Sequence, residues 1–479
     1  MPQTIRDAIQ VCLEIGETYL WVDSLCIVQD DPVYQKCQID IMDFIYSEAV
    51  ITIVAAAGDD ADSGLPGVST WARDTKRQTI FLQDIEVNNV LPRLKDTVDR
   101  SVWNTRGWTY QERMFSRRCI CFTERQAYYA CSEGVQYERS GRLLSTNLTN
   151  ERYVNAWSGS PGTSSNSSSF LEMFSQSVTN YTYRTLTSQA DILRAFQGIM
   201  SNMMRTHIRH FHFGLPDGGF EDALLWQPLG FTERRLAPIS LPSWCWASVS
   251  GPVKYTFKEE RITSLTSATL PAYWQDGEEP SVLPIDWLIN SDGSQIVVVN
   301  NKAQATTHNT PQAMYRLARQ KPGRLLFATQ YAWLNLRNSI PYTTQNSWWT
   351  DYTTDVDLST ISMVSILLPG SEPDSLAGFI EMDKRWAERT LGPEKEACEW
   401  EFIAISLATS KGNDFMHMYL TQLRNVNYPL VWSRNVRQLL VNVMLIEWSS
   451  GVARRLGVGK VFLDMWEKSK PQTKWVVLG

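Results

Sequence analysis

Two almost continuous apolar runs, YLWVDSLCIV at 19–28 and AVITIVAAA at 49–57, constrain this chain more than any other feature. A strand covered on both faces needs such a run, because neither side of it meets water. Each run follows a stretch of helical period. After Pro2, Ile5, Ala8, Ile9, Cys12 and Leu13 recur at helix spacing, and Gly16 is placed to end that helix. A second helix opens at Asp31 and Pro32, an N-cap followed by a first-turn proline, and carries Tyr34, Cys37, Ile41 and Ile45 as its inner stripe. Helix, strand, helix, strand with short joints predicts a parallel α/β sheet.

The pattern loosens over 58–104, where turn signals such as DSGLPG mark an insertion. A helix over RGWTYQERMF comes next. RCICFT and QAYYAC then form a predicted hairpin across Glu124 and Arg125, and this first domain closes near 135. A Ser-rich linker is expected at 140–169, around SGSPGTSSNSSS. Residues 170–239 read as a helical connecting section. Its second helix opens with Ser188-x-x-Asp191 and turns Ile192, Leu193, Phe196, Ile199, Met200 and Met203 to one face. Residues 240–479 carry short β-type runs, among them PSWCWASV, SMVSILLP, WEFIAISLA, LLVNVMLIEW and KWVVLG. They predict an antiparallel sandwich or open barrel, with a hairpin turn at Ser449, Ser450 and Gly451.

A net charge of −6 over 479 residues gives no pull toward nucleic acid. No apolar run approaches the ~20 residues that span a bilayer, and charges interrupt the N-terminal segment too often for a signal peptide. Eight scattered cysteines do not make a disulfide framework, so a reduced, cytoplasmic protein is expected. On that reading the sequons at Asn147, Asn166 and Asn180 are chance products of a Ser/Thr-rich region.

The stretch NTRGWTYQERMFS, 104–116, holds the chemistry. Trp108 and Glu112 share one helix face, introduced by Arg106 and Gly107. The residues allow two readings: an amphipathic helix that packs its Trp and wets its Glu, or an active-site carboxylate held by an aromatic neighbour. Asp23 lies near the C-terminal half of the first apolar run, the end at which α/β sheets place ligand groups. It also suits a carboxylate satisfied by backbone or by Arg106. Cys26 has no histidine ahead of His207 to activate it and reads as a core thiol. Cys119, Cys121 and Cys131 lack a fourth ligand, so no metal is expected. His207, His210 and His212 fit neither a zinc pair nor a triad, and GVGKV near Lys460 lacks the remainder of a phosphate loop. Trp244 and Trp246 fall on one face of an expected strand, either packed or serving a ligand.

Together YLWVDSLCIVQDD, IYSEAVITIVAAA and NTRGWTYQERMFS resemble, in order and spacing, the heterokaryon-incompatibility (HET) domain of filamentous fungi. The resemblance covers about 1–135. It implies a TIR-like, flavodoxin-like parallel sheet of order 2-1-3-4-5, with this chain starting after the first strand. It further implies non-self recognition leading to programmed cell death through self-association. The partners would be a second copy or other incompatibility and NLR-type proteins. TIR domains that cleave NAD carry a Trp-x-x-x-Glu motif on the helix before their fourth strand. By that resemblance Glu112 is the candidate catalytic residue, with Trp108, Arg106 and Asp23 as candidate ligand-binding residues. The resemblance requires no cofactor; NAD enters as substrate. A carboxylate there would stabilise the positive charge that builds on ribose as nicotinamide leaves. A remnant without activity is the third reading.

Overall fold

A computed structural model describes residues 1–73, 79–82, 85–88, 91–138, 143–145, 167–235, 241–255, 260–261, 287–291, 296–299, 310–341, 358–370, 375–392, 398–410 and 438–479. Most of the expected Ser-rich linker lies outside the described residues. The chain divides into two compact units, one of Met1–Ser165 with Tyr183–Ile208 and the other of Asn166–Thr182 with Arg209–Gly479.

The first unit begins with α1 (Gln3–Glu14), a single turn α2 (Asp23–Cys26), α3 (Pro32–Asp40) and α4 (Met42–Glu48), followed by β1 (Thr52–Ala55). Local chemistry starts and stops these elements as expected. Asp31 accepts from the amides of Val33 and Tyr34, both at 3.0 Å, ahead of Pro32. Gly16 takes φ +80 just past α1 and donates to the Leu13 carbonyl. The expected insertion holds the small hairpin of β2 (Thr79–Leu82) and β3 (Ile85–Asn88) and the short α5 (Leu94–Val98), and α6 (Val102–Thr105) and α7 (Thr109–Phe115) follow at its end. The strands β4 (Arg118–Phe122), β5 (Ala127–Cys131), β6 (Gly134–Tyr137) and β7 (Leu143–Ser145) complete it. The predicted hairpin is present as β4 and β5, with Arg118 opposite Cys131 and Phe122 opposite Ala127.

The sheet runs β1-β4-β5-β6-β7 and is mixed: only β1 and β4 are parallel. Residues 19–28 do not form the buried strand expected of them. With no neighbouring strand among the described residues to take up its backbone groups, the segment closes on itself. Leu25 and Cys26 both donate to the Val22 carbonyl, and Asp23 accepts from the Ser24 amide at 2.6 Å. Asp23 and Cys26 therefore stand on a helical turn rather than on opposite faces of a strand.

The inner stripes are corrected too. Asp7, Ala8, Val11 and Cys12 are the buried face of α1, while Leu13 is 70% exposed. The second helix breaks at Ile41. Ile39 and Met42 point inward there, and Tyr34, Cys37 and Ile41 face out. Downstream, two 3-10 turns lead into the helix Gln197–His207, with Ile192, Phe196, Ile199, Met200 and Met203 buried as predicted and Leu193 half-buried.

In the second unit, β8 (Leu325–Pro341), β9 (Ile361–Leu367), β10 (Leu376–Asp383), β11 (Glu399–Ser410), β12 (Gln438–Ser449) and β13 (Val452–Phe462) close a circuit. β8 pairs with β9, β9 with β10, β10 with β13, β13 with β12, β12 with β11, and β11 again with β8, all antiparallel. Closure removes the exposed edges that an open sheet would leave. β14 (Gln472–Leu478) lies along the first half of β8. The expected antiparallel β architecture is thus a closed six-stranded barrel, filled by residues such as Leu334, Val364, Phe402, Leu440 and Trp466.

Two glycines bring β10 and β13 together. A Cβ on Gly378 would lie 1.9 Å from the Lys460 carbonyl oxygen, and one on Gly459 would lie 2.4 Å from that of Phe379. The β12–β13 turn is where it was predicted, with Ser450 and Gly451 both at positive φ between the paired Ser449 and Val452.

PSWCWASV is not a strand. It folds through a turn into a 3-10 segment, Trp246–Ser248, and both indoles are fully buried. Trp244 donates to the Gly323 carbonyl and Trp246 to that of Gly214, each at 2.9 Å, so packing is their role.

Candidate functional site

α7 is held at its start by the chain at 184–186. Gly107 donates to the Thr185 carbonyl at 2.7 Å, and Thr185 donates to that of Thr105 at 2.7 Å. A Cβ on Gly107 would meet Leu186 Cδ2 at 2.5 Å, so a larger residue there would push the Leu186 side chain aside. Arg184 fastens the same joint. Its guanidinium donates to the Arg106 carbonyl at 3.2 Å, Thr109 Oγ1 at 2.9 Å and Asn104 Oδ1 at 2.6 Å, and lies over the Tyr110 ring. Burial lowers its pKa to about 10, and the neighbouring Arg113 adds to that. Arg113 in turn donates to Asp99 and Asn104 at 2.7 and 2.9 Å.

Trp108 occupies the N-cap with helical φ and ψ, so it and Glu112 share a face as the spacing predicted. The indole that meets the carboxylate, however, belongs to Trp103, whose Nε1 donates to Glu112 Oε2 at 3.3 Å. Glu112 is half-buried. Burial pushes its pKa up to about 7, and the Asp23 carboxylate adds to the rise. Arg106, the Trp103 bond and Arg184 oppose the rise without cancelling it. Tyr46 belongs to the same cluster. Burial raises its phenol well above the ordinary range, Glu112 and Asp23 raise it further, and Arg106 pulls the other way. The Tyr46 ring meets Trp21 edge to face at 5.7 Å.

The structure therefore brings Glu112 on α7, Arg106 just past α6 and Asp23 on the far earlier α2 within electrostatic reach of one another. Trp108 stands half-buried at the cap. Trp103, Tyr46, Trp21 and Arg184 were missed. Nothing in their spacing links them to α7, and only the fold does so. Such a cluster can exchange a proton near neutral pH and stabilise developing positive charge beside a carboxylate.

A cavity of about 270 Å³ opens beyond the carboxyl ends of the parallel strands β1 and β4. Glu112, Trp108, Arg106 and Asp23 are not among its lining residues.

The remaining candidates are placed simply. Cys119 and Cys121 are buried in β4, and burial raises the Cys119 thiol above the ordinary range. Cys26 accepts weakly from the Val22 amide. No group of three or more metal-ligating side chains occurs among the described residues. His207 meets Thr206 at 2.8 Å, and His212 meets Ser291 at 3.0 Å with burial lowering its pKa. No helix among the described residues is long and apolar enough to cross a membrane.

Residues 1–112, less than a quarter of the chain, match the family model described as Heterokaryon incompatibility protein (HET). No curated protein and no solved structure matches the chain.

Proposed function

We propose that this chain acts in heterokaryon incompatibility through its HET segment, and that its output is a death signal made by self-association of that segment. The observation that carries self-association is the distribution of exposed apolar surface. Twelve of the eighteen exposed large apolar side chains among the described residues lie within the first 50 positions. Tyr19 is 92% exposed, Val33 75% and Leu13 70%. Among the described residues β1 pairs on one edge only, with β4. Exposed apolar side chains and an open strand edge in one segment favour association with a second copy, which would cover both. A TIR-like completion of the sheet belongs to this proposal, as does a cytoplasmic site of action.

Sedimentation of the full chain over a range of concentrations should show reversible dimers or larger assemblies. Leu13→Asp with Tyr19→Asp should leave a folded monomer that no longer kills when expressed in fungal cells. A wild-type chain that stays monomeric at about 100 µM, where weak specific contacts would be filled, defeats the proposal.

A second reading rests on Glu112. Its raised pKa beside Asp23 and Arg106 supports a nucleotide-consuming hydrolase that breaks the nicotinamide–ribose bond of NAD. Purified protein incubated with NAD should then release nicotinamide, and Glu112→Gln should abolish release while the fold persists. Killing that survives Glu112→Gln, with no release by the wild type, leaves the scaffold reading alone.

A further inference from the structure

We propose that the cavity beyond β1 and β4 is a binding site for a small phosphorylated sugar. Both strands point their carboxyl ends at it, and the segments that follow them form its walls. Gly58 and Asp59 come after β1, and Thr123, Glu124 and Arg125 after β4. Arg100 and Ser101, from the α5–α6 joint, close the third side. Ligands in sheets with parallel strands gather at this rim because loops, free of ladder hydrogen bonds, present their polar groups there.

The chemistry of the lining selects the ligand. Ser101 Oγ donates its hydrogen to the Val98 carbonyl at 2.7 Å, and Thr123 Oγ1 donates to that of Gln126 at 2.7 Å. Each oxygen also accepts from a backbone amide, Ser101 from Asn104 at 3.2 Å and Thr123 from Gln126 at 3.4 Å, and both residues are buried. Tyr128, also in the lining, donates to the Pro92 carbonyl at 2.7 Å. Tyr128 also accepts from Gln126 Nε2 at 2.9 Å, so the floor is satisfied within the protein and the charged groups at the mouth are the ones left to meet a ligand.

The mouth carries two guanidiniums, Arg100 and Arg125, and among the described residues neither forms an ion pair, although Asp59 and Glu124 stand at the same opening. Two unpaired forks at one mouth fit the oxygens of a phosphate, and the carboxylates of Asp59 and Glu124 fit the hydroxyls of a sugar. About 270 Å³ accommodates a pentose with one phosphate. Gly58 holds its turn at φ +78, and a Cβ there would meet Ser63 at 2.4 Å, which fixes the wall. This site shares no lining residue with the Glu112 cluster and stands whether or not the incompatibility reading does.

Calorimetric titration of the full chain with ribose 5-phosphate, inorganic phosphate and ribose tests it. Ribose 5-phosphate should bind, inorganic phosphate more weakly, and ribose alone more weakly still. Arg100→Ala or Arg125→Ala should each weaken ribose 5-phosphate binding about tenfold or more, as loss of a charge-assisted contact does. Both arginines are exposed, so circular dichroism should be unchanged. No binding of ribose 5-phosphate at millimolar concentration overturns the proposal, as does an affinity that the double variant leaves intact. Equal affinity for inorganic phosphate and ribose 5-phosphate overturns the sugar assignment.

Discussion

Replacing Glu112 by Gln should stabilise the first unit at pH 8 and leave it nearly unchanged at pH 4. The sign follows from the raised pKa. The folded carboxyl group ionises near pH 7, whereas the unfolded one ionises near its ordinary 4.5. Below about 4.5 both states hold the proton and the group takes nothing from stability. As pH rises through the interval, the unfolded chain releases the proton first and the folded state loses ground. The loss is complete once the folded group ionises as well. A rise from 4.5 to about 7 corresponds to ~3 kcal/mol, at ~1.4 kcal/mol per pKa unit. Gln keeps an oxygen to accept from Trp103 and never ionises, so it should avoid that loss. Urea denaturation of both proteins at pH 4 and pH 8 checks this. An equal difference at the two pH values, or destabilisation at pH 8, would show that Glu112 is an ordinary wet carboxylate. A stabilising substitution at a candidate catalytic position is the signature of a site that trades stability for chemistry.

The second large effect is expected in the barrel unit. Lys254 and Glu381 form an ion pair at 2.7 Å with both side chains buried, Glu381 on β10 between core residues Ile380 and Met382. Lys254→Met should leave the Glu381 carboxylate in the interior without its ammonium, at a cost of ~3–5 kcal/mol. Lys254→Met combined with Glu381→Met should recover most of that loss, because no charge then remains to be desolvated. Thermal unfolding of the wild type, the single and the double variant gives the comparison. A single variant within ~1 kcal/mol of wild type would mean that water or a second partner carries the charge.

What the sequence disclosed was local. Asp31 with Pro32 caps a helix by its own side chain, Ser450 and Gly451 turn a hairpin by their own φ, and RCICFT pairs with QAYYAC across two residues. Each of these depends on atoms a few positions apart. The misreadings came where pairing partners decide. Residues 19–28 have the composition of a buried strand, but a strand exists only beside another, and none of those described takes the place. The stripe of Tyr34, Cys37 and Ile41 has helix spacing yet faces outward, because periodicity reports a face and not what covers it. The site divided in the same way. Glu112, Asp23 and Arg106 were legible as charged residues set among apolar ones. Trp103 and Tyr46 were not, and Arg184 reaches Thr109 from 75 positions away.

The long pairings of the barrel bear on how the chain matures. β14 completes one flank of β8 by matching Leu325 with Leu478, roughly 150 positions apart. A ribosome therefore delivers β8 well before the strand that will lie along it, and the β8–β11 contact must also wait for a distant segment. Loop closures of that span are slow, and meanwhile an aromatic-rich ribbon is open to other nascent chains. Chaperone capture of the second half during translation is the natural consequence, while the first unit can collapse as soon as its own residues emerge.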